Sequence, residues 1–130
     1  MAVRREASLW MRQAESDLRK AENDLETYDW DSAAFWSQQA AEKALRALLL
    51  NFGRSHRGHD LLELRDILKT DAGLDVASIE KELRELTIHY TVSRYPNAAN
   101  ALPADLYDRE ADELVERARR VVEWVKRYLH

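Results

Sequence analysis

From Asp31 to Phe52 the chain reads DSAAFWSQQAAEKALRALLLNF, a long stretch without a glycine or a proline. Strong helix formers at this density favour a helix over any alternative. Ala33, Ala34, Ala40, Ala41, Ala44 and Ala47 are small enough to let a neighbouring helix come close. Leu45, Leu48, Leu49 and Phe52 recur at helical spacing and make the C-terminal end strongly apolar. In a chain otherwise rich in charge, this run holds only Asp31, Glu42, Lys43 and Arg46. A helix apolar over so much of its circumference belongs at the centre of a bundle. Asp31 is placed to cap its start and Gly53 to stop it.

The rest of the composition points the same way. Charged residues make up 34% of the 130, against three glycines and two prolines, the profile of an all-helical domain with salt-bridged faces. Residues 1–130 make one domain, able to bury roughly two-thirds of its unfolded surface and so to build a core without staples. Cysteine is absent, which removes disulfides, thiolate metal sites and thiol chemistry. The opening MAVRREASLW has no continuous apolar core, and no apolar run reaches the ~20 residues that span a bilayer. A cytoplasmic protein with no membrane partner is expected. The net charge of −4 argues against broad nucleic-acid binding, and no DNA partner is expected, although a local basic site is compatible with it.

Along the chain, a first helix should span about Arg4 to Tyr28 on a stripe of Trp10, Ala14, Leu18, Ala21, Leu25 and Tyr28. The short turn Thr27 to Asp31 makes the first two helices antiparallel neighbours. After the loop Gly53 to His59 (GRSHRGH), a short helix from Asp60 to Lys69 puts Leu61, Leu64 and Leu68 on one face. Gly73 is the pivot of the turn Asp71 to Asp75. Asp75 should cap a helix from Val76 to about Tyr90, with Ile79, Leu83, Leu86 and Tyr90 inward. Thr91 to Asp105 reads as a long irregular segment, functional more often than not in so compact a domain. Within it Tyr95, preceding Pro96, should be extended. Pro103 and Asp105 announce the last helix, which runs to about Leu129. Its inward residues are Leu114, Ala118, Val121, Val122, Val125 and Leu129; Arg117, Arg119, Arg120, Lys126 and Arg127 occupy its other faces.

Several polar residues are candidates for more than solvation. Asp17 lies beside the first stripe and, as a carboxylate, should be exposed or salt-bridged. Gln38 and Gln39, near the middle of helix two, need partners if buried and can tie helices or chains together. Glu42 and Arg46, four apart, can pair on the exposed side. The loop gathers Arg54, His56, Arg57 and His59. Two histidines three apart hint at metal, but no third ligand lies nearby, so no metal site is expected. The loop is either a basic patch facing phosphate or a solvated connection in which His59 helps cap the next helix.

No Ser-His-Asp order, glycine-rich phosphate cradle or diagnostic carboxylate pair occurs, and no cofactor is expected. Instead Arg84, His89, Tyr90, Arg94 and Tyr95 cluster. Arg84 and His89 are five positions apart in RELTIH. An arginine can hold a phosphate, and a histidine can move the proton of a ribose hydroxyl near neutral pH. The two suffice for metal-free RNA cleavage. On one ideal helix they would diverge by about 140°, so they share a face only if the helix ends or bends before His89. The plainer alternative pairs Arg84 with Glu80 and places His89 at a helix C-terminus. Arg94, alone in an apolar loop, needs an anion or carbonyls. Those can come from Asp17, from the C-terminal carbonyls of a helix, from a ligand phosphate or from a partner protein.

These residues together resemble the HEPN family of small helical domains. The matching positions are Ala14, Asp17-Leu18 and Ala21 in helix one; Ala34-Phe35 and QQAAEKALRALL (Gln38 to Leu49) in helix two; His59-Asp60-Leu61 opening the third; and Tyr90 with SRYP (Ser93 to Pro96) in the long loop. The resemblance implies an up-and-down four-helix bundle with one extra short helix, similar to nucleotidyltransferase substrate-binding-subunit bundles. It also implies a homodimer that pairs with a minimal nucleotidyltransferase in a toxin–antitoxin-like system. Nucleotide or RNA association comes with it, with Arg94, Tyr95, Tyr90, Asp17, Gln38 and His59 as binding candidates. One branch of the family cuts RNA without metal through an arginine, four to six residues and a histidine, a spacing that Arg84 and His89 match. In that branch a tyrosine follows after one further residue, whereas here Tyr90 follows His89 directly. Three functions compete: a dimeric partner-binding HEPN module, a metal-independent endoribonuclease using Arg84 and His89, and a plain helical interaction domain. The environment of Arg94 discriminates the last: if its own chain's carboxylates and carbonyls saturate it, no ligand need be invoked.

Overall fold

The computed structural model describes residues 4–129, which hold helices and turns and no strand. The helices are α1 (Arg5–Glu26), α2 (Trp30–Asn51), α3 (Leu61–Asp71), α4 (Glu80–Leu86), α5 (His89–Val92), α6 (Pro96–Ala99), α7 (Pro103–Leu106) and α8 (Ala111–Tyr128), with a single 3-10 turn (Ala77–Ile79) leading into α4. The fold is the all-α bundle expected. α2 is its axis, touching α1, α8, α3, α4, α5 and α7, while α4 and α1 each lie against α8. Ala7, Ala14 and Ala21 of α1, seven residues apart, are fully buried, as are the six alanines of α2. With no side chain beyond Cβ in the way, the two backbones pack closely. Leu45, Leu48, Leu61, Leu64, Leu68, Leu83 and Leu86 fill the space beyond them, each worth about 1.5–3 kcal/mol of burial.

The local chemistry of the helix ends departs from expectation in instructive ways. α2 starts earlier than Asp31. Asp29 is its N-cap residue without a side-chain cap bond, and Asp31 stands in the first turn, where a negative charge still favours the helix. Gly53 does end the helix. It takes φ +76°, with its N–H on Leu50 O at 2.9 Å and the Arg54 N–H on Leu49 O at 3.0 Å, a Schellman motif. α1 closes the same way but on Tyr28, a non-glycine residue at φ 63°. Tyr28 is therefore exposed, not part of the buried stripe. Trp10 is likewise at the edge, and the face runs through Ala7, Met11, Ala14, Leu18 and Ala21. The small residues, not the bulky ones, define which side meets α2.

The expected Val76–Tyr90 helix is interrupted. Asp75 Oδ1 accepts from the Ala77 N–H at 3.0 Å, as a cap should, and the 3-10 turn and α4 follow. The chain then breaks at Thr87 and Ile88. The Thr87 hydroxyl accepts from the Leu61 N–H at 2.9 Å and lies 3.2 Å from Asp60 Oδ1, so the end of α4 is tied to the start of α3. Thr91 to Asp105 is not irregular throughout. α6 lies within it and α7 begins within it, each opening on proline, and Tyr95 is extended at φ −121°, ψ 115°. Pro103 thus starts α7; the last helix begins only at Ala111. Arg117 is buried rather than on an outer face of α8. It pairs with Glu113, with Glu85 at 2.6 Å and with Glu82 at 3.6 Å. Among the described residues no helix is long and apolar enough to cross a membrane.

Candidate functional site

The polar residues of α2 organise one side of the molecule. Gln38 is fully buried and its Nε2 donates to the His59 carbonyl at 3.0 Å and to Glu42 Oε1 at 3.3 Å, while its own amide oxygen accepts from Gln39 Nε2 at 2.8 Å. Burial demands that every such group find a partner, and here the partners span α2 and the following loop. Glu42 pairs with Arg46 as expected, at 3.2 Å, but not on an exposed side: it is only 3% exposed. Its other oxygen meets His59 Nδ1 at 2.9 Å. Arg46 in turn donates to the His56 carbonyl at 2.5 Å and to the Gly58 carbonyl. One buried carboxylate and one arginine therefore shape the whole loop Gly53 to His59. His59 does not cap α3; Asp60 does, accepting from the Leu62 N–H at 2.8 Å.

His59 instead stacks on Tyr90, with ring centroids 3.7 Å apart and planes 11° from parallel. Tyr90, on α5, also faces Arg94, whose guanidinium lies 4.1 Å from the Tyr90 ring, 4.9 Å from Tyr95 and 5.0 Å from Phe35. Arg94 Nε donates to the Tyr90 carbonyl at 2.8 Å. That is its one side-chain hydrogen bond among the described residues, within which it has no ion pair. The side chain is exposed, held by aromatic faces rather than by a carboxylate. Asp17 is not its partner. Fully buried, Asp17 accepts from Lys43 Nζ at 2.5 Å, Gln13 Nε2 at 2.9 Å and Lys20 Nζ at 3.2 Å. Both lysines lie over the Trp36 ring, at 4.2 Å for Lys20 and 5.8 Å for Lys43. Trp36 touches Phe35 edge-on at 5.0 Å. The candidates Gln38, His59, Tyr90, Arg94 and Tyr95 thus form one connected edge, and Asp17 joins it only through the Trp36–Phe35 aromatic pair.

Arg84 and His89 have a different setting. The break at Thr87–Ile88 does bring both to the border of one open cleft of about 430 Å³, shared with Glu85, Ile88, Glu113 and Arg117. Arg84 is exposed and pairs with Glu80 at 2.9 Å; Glu80 is shared with Arg65 at 2.5 Å. His89 is 7% exposed, and its Nδ1 lies 2.6 Å from the Tyr107 hydroxyl. Burial pushes its pKa down from 6.5 to about 4, only partly opposed by a hydrogen bond from the ring to the Glu85 carbonyl. Burial, with the Glu110 and Asp31 carboxylates, also drives the Tyr107 phenol well above its ordinary range. His89 stands at the start of α5, not at the C-terminus of the preceding helix. At neutral pH it is an uncharged, enclosed imidazole.

Sequence reasoning missed Tyr107 and the inward turn of Glu42. Tyr107 sits between α7 and α8, outside any periodic stripe, and carries no local signal. Glu42 could have been found: it lies one turn from Gln38 and Arg46, three polar groups on one line of an otherwise apolar helix. Among the described residues no group of three or more His, Asp or Glu side chains could hold a metal.

Known proteins are similar to this chain over most of its length. The family model described as "HEPN domain" matches residues 7–128. The crystal structure of TT1696 from Thermus thermophilus superposes with a TM-score of 0.86 at 33% identity, covering 95% of this chain and 98% of that one. The crystal structure of ST0689, described as an archaeal HEPN homologue, gives a TM-score of 0.78 at 34% identity with the same coverage of 95% and 98%. A Methanocaldococcus jannaschii protein named "Putative toxin MJ1304" is 28% identical over 133 residues, 95% of this chain and 88% of its own length. With the Ala-lined central helix, the QQAAEKAL run and the RYP loop all inside the matched span, the chain belongs to the HEPN family.

Proposed function

We propose that this chain is the HEPN member of a toxin–antitoxin-like pair: a homodimeric module that binds a minimal nucleotidyltransferase and presents the His59–Tyr90–Arg94–Tyr95 edge to a nucleotide phosphate or to its partner. The observation that carries this reading is Arg94. Its guanidinium is oriented by three aromatic rings and one backbone carbonyl, exposed and without a carboxylate among the described residues, as an anion-recognition group should be. A relative named as a putative toxin supports the toxin-like role, and the family resemblance supports the partner. The test is co-expression with a minimal nucleotidyltransferase from the same genome, followed by size-exclusion with light scattering and titration with AMP and ATP. A co-eluting complex, a dimeric chain and a loss of about tenfold or more in nucleotide or partner affinity in Arg94→Ala are expected. A monomer that binds neither nucleotide nor partner overturns the proposal.

A second reading, a metal-independent endoribonuclease, is favoured by the helix break that puts Arg84 and His89 on one cleft. It needs His89 to leave its hydrogen bond with Tyr107. Growth arrest on expression that is relieved by His89→Ala supports it; arrest unchanged by that substitution removes it.

A further inference from the structure

Two members of the Arg94 edge, His59 and Tyr90, also line an open groove between the start of α3 and the corner that joins α4 to α5. Asp60, Thr87, Ile88 and Thr91 line it with them, and it encloses about 310 Å³. An engineered cavity of ~150 Å³ admits one benzene ring, so the groove has room for the two fused rings of a purine. One of its walls is immobile. His59 Nδ1 lies 2.9 Å from Glu42, and one face of the imidazole is stacked on Tyr90 at 3.7 Å, yet the side chain is still 44% exposed. A flat ring fixed in this way is a ready platform for a second flat ring, because its ordering cost is already met. Ile88, 57% exposed, adds an aliphatic surface to the same groove.

The polar lining selects among flat rings. Asp60 Oδ1 accepts from the Leu62 N–H at 2.8 Å and from the Thr87 hydroxyl at 3.2 Å, which orients the carboxyl group. Its Oδ2 has no hydrogen bond among the described residues, within which Asp60 has no ion pair, and the residue is exposed. An ionised carboxylate only accepts. Guanine offers it two adjacent donors on one edge, the N1–H and the N2 amino group. Adenine offers one amino group beside the lone pair of N1, which a carboxylate repels. The charge needed for a phosphate is close by: the Arg94 guanidinium lies 4.1 Å from the Tyr90 ring, near enough for one nucleotide to reach both groove and guanidinium.

We propose that this groove holds a guanine base, lying against His59 with its donor edge on Asp60, while the 5′-phosphate of the nucleotide meets Arg94. The proposal rests on the reading of Arg94 as a phosphate-binding group and adds the base to it. The experiment is isothermal titration of the full chain with GMP, AMP and inorganic phosphate. GMP should bind about tenfold more tightly than AMP, and phosphate more weakly than either. Asp60→Asn keeps the cap of α3, because asparagine caps as well as aspartate, and should leave the melting temperature nearly unchanged. Its carboxamide both donates and accepts, so the preference for GMP should fall to about onefold or reverse. Ile88→Ala, at an exposed position, should weaken GMP about threefold. Equal binding of GMP and AMP by the wild type, a ratio unmoved by Asp60→Asn, GMP binding unmoved by Ile88→Ala, or no GMP binding at about 1 mM overturns the proposal. The Arg94 reading fails separately. Phosphate that binds as tightly as GMP and is lost in Arg94→Ala, or a partner complex without nucleotide binding, overturns the guanine site and leaves that reading standing.

Discussion

Acidification should destabilise this protein through His89, and comparison with a variant lacking the imidazole isolates the effect. In the unfolded chain the imidazole takes up its proton near pH 6.5. In the fold it does so only at about 4, because protonation would charge a ring enclosed against Tyr107. Between those values the unfolded state binds more protons than the native one. The contribution is therefore complete above about pH 6.5 and is lost as the pH falls toward 4. Over the full interval this amounts to about 3 kcal/mol, and at pH 5.0 to about 2 kcal/mol, a large part of the 5–15 kcal/mol that typical domains possess. The assay is urea denaturation at pH 7.5 and 5.0, followed by tryptophan fluorescence, on the wild type and on His89→Gln. The difference between the two proteins reports the contribution of His89. The variant starts less stable, having lost a shaped buried ring, but its curve should shift less. The wild-type midpoint should fall by about 1 M urea more than that of the variant, given slopes of about 1–3 kcal/mol/M. Parallel shifts in the two proteins, or an NMR titration of His89 centred near 6.5, would refute the reasoning.

Three further outcomes follow from geometry alone. Glu42→Ala leaves Arg46, His59 and the Gln38 amide without their shared acceptor and should cost about 2–4 kcal/mol in chemical denaturation; it should also raise proteolytic nicking in the loop Gly53 to His59. Gly53→Ala forces a β-carbon into a backbone at φ +76° and against the Arg4 guanidinium, for a loss of about 1–2 kcal/mol by thermal melting. Leu48→Ala, in the fully buried centre of α2, should cost about 2–5 kcal/mol, the spread reflecting how far α1 and α8 can close the void.

The central helix could be read from residues because propensity, alanine spacing and the glycine stop all agree there. The bundle class and the faces of α2, α3 and most of α8 followed from it. What the residues concealed lies where tertiary contacts override local pattern. The apolar period of Ile79, Leu83, Leu86 and Tyr90 continues past Leu86, yet the helix does not, because the Thr87 hydroxyl has a better use at the start of α3. Glu42 and Arg117 look solvated by type, and both are inside because neighbours on other elements satisfy them. The family-matching residues Gln38, His59, Tyr90 and Arg94 are legible as candidates, Tyr90 and Arg94 as part of one cluster in the sequence. That they form one edge required knowing that the loop after α2 folds back on it, a fact set by Arg46 holding two carbonyls.

The single threonine between α4 and α5 links two events that would otherwise be separate. Because its oxygen receives the first amide of α3 and approaches the cap of that helix, the corner cannot swing without uncapping α3. Ile88 and His89 ride on that corner. Opening the entrance of α3 breaks both of these contacts, and the corner that they hold is the one that leads directly into His89. A lone hydroxyl joins the start of one helix to the end of another.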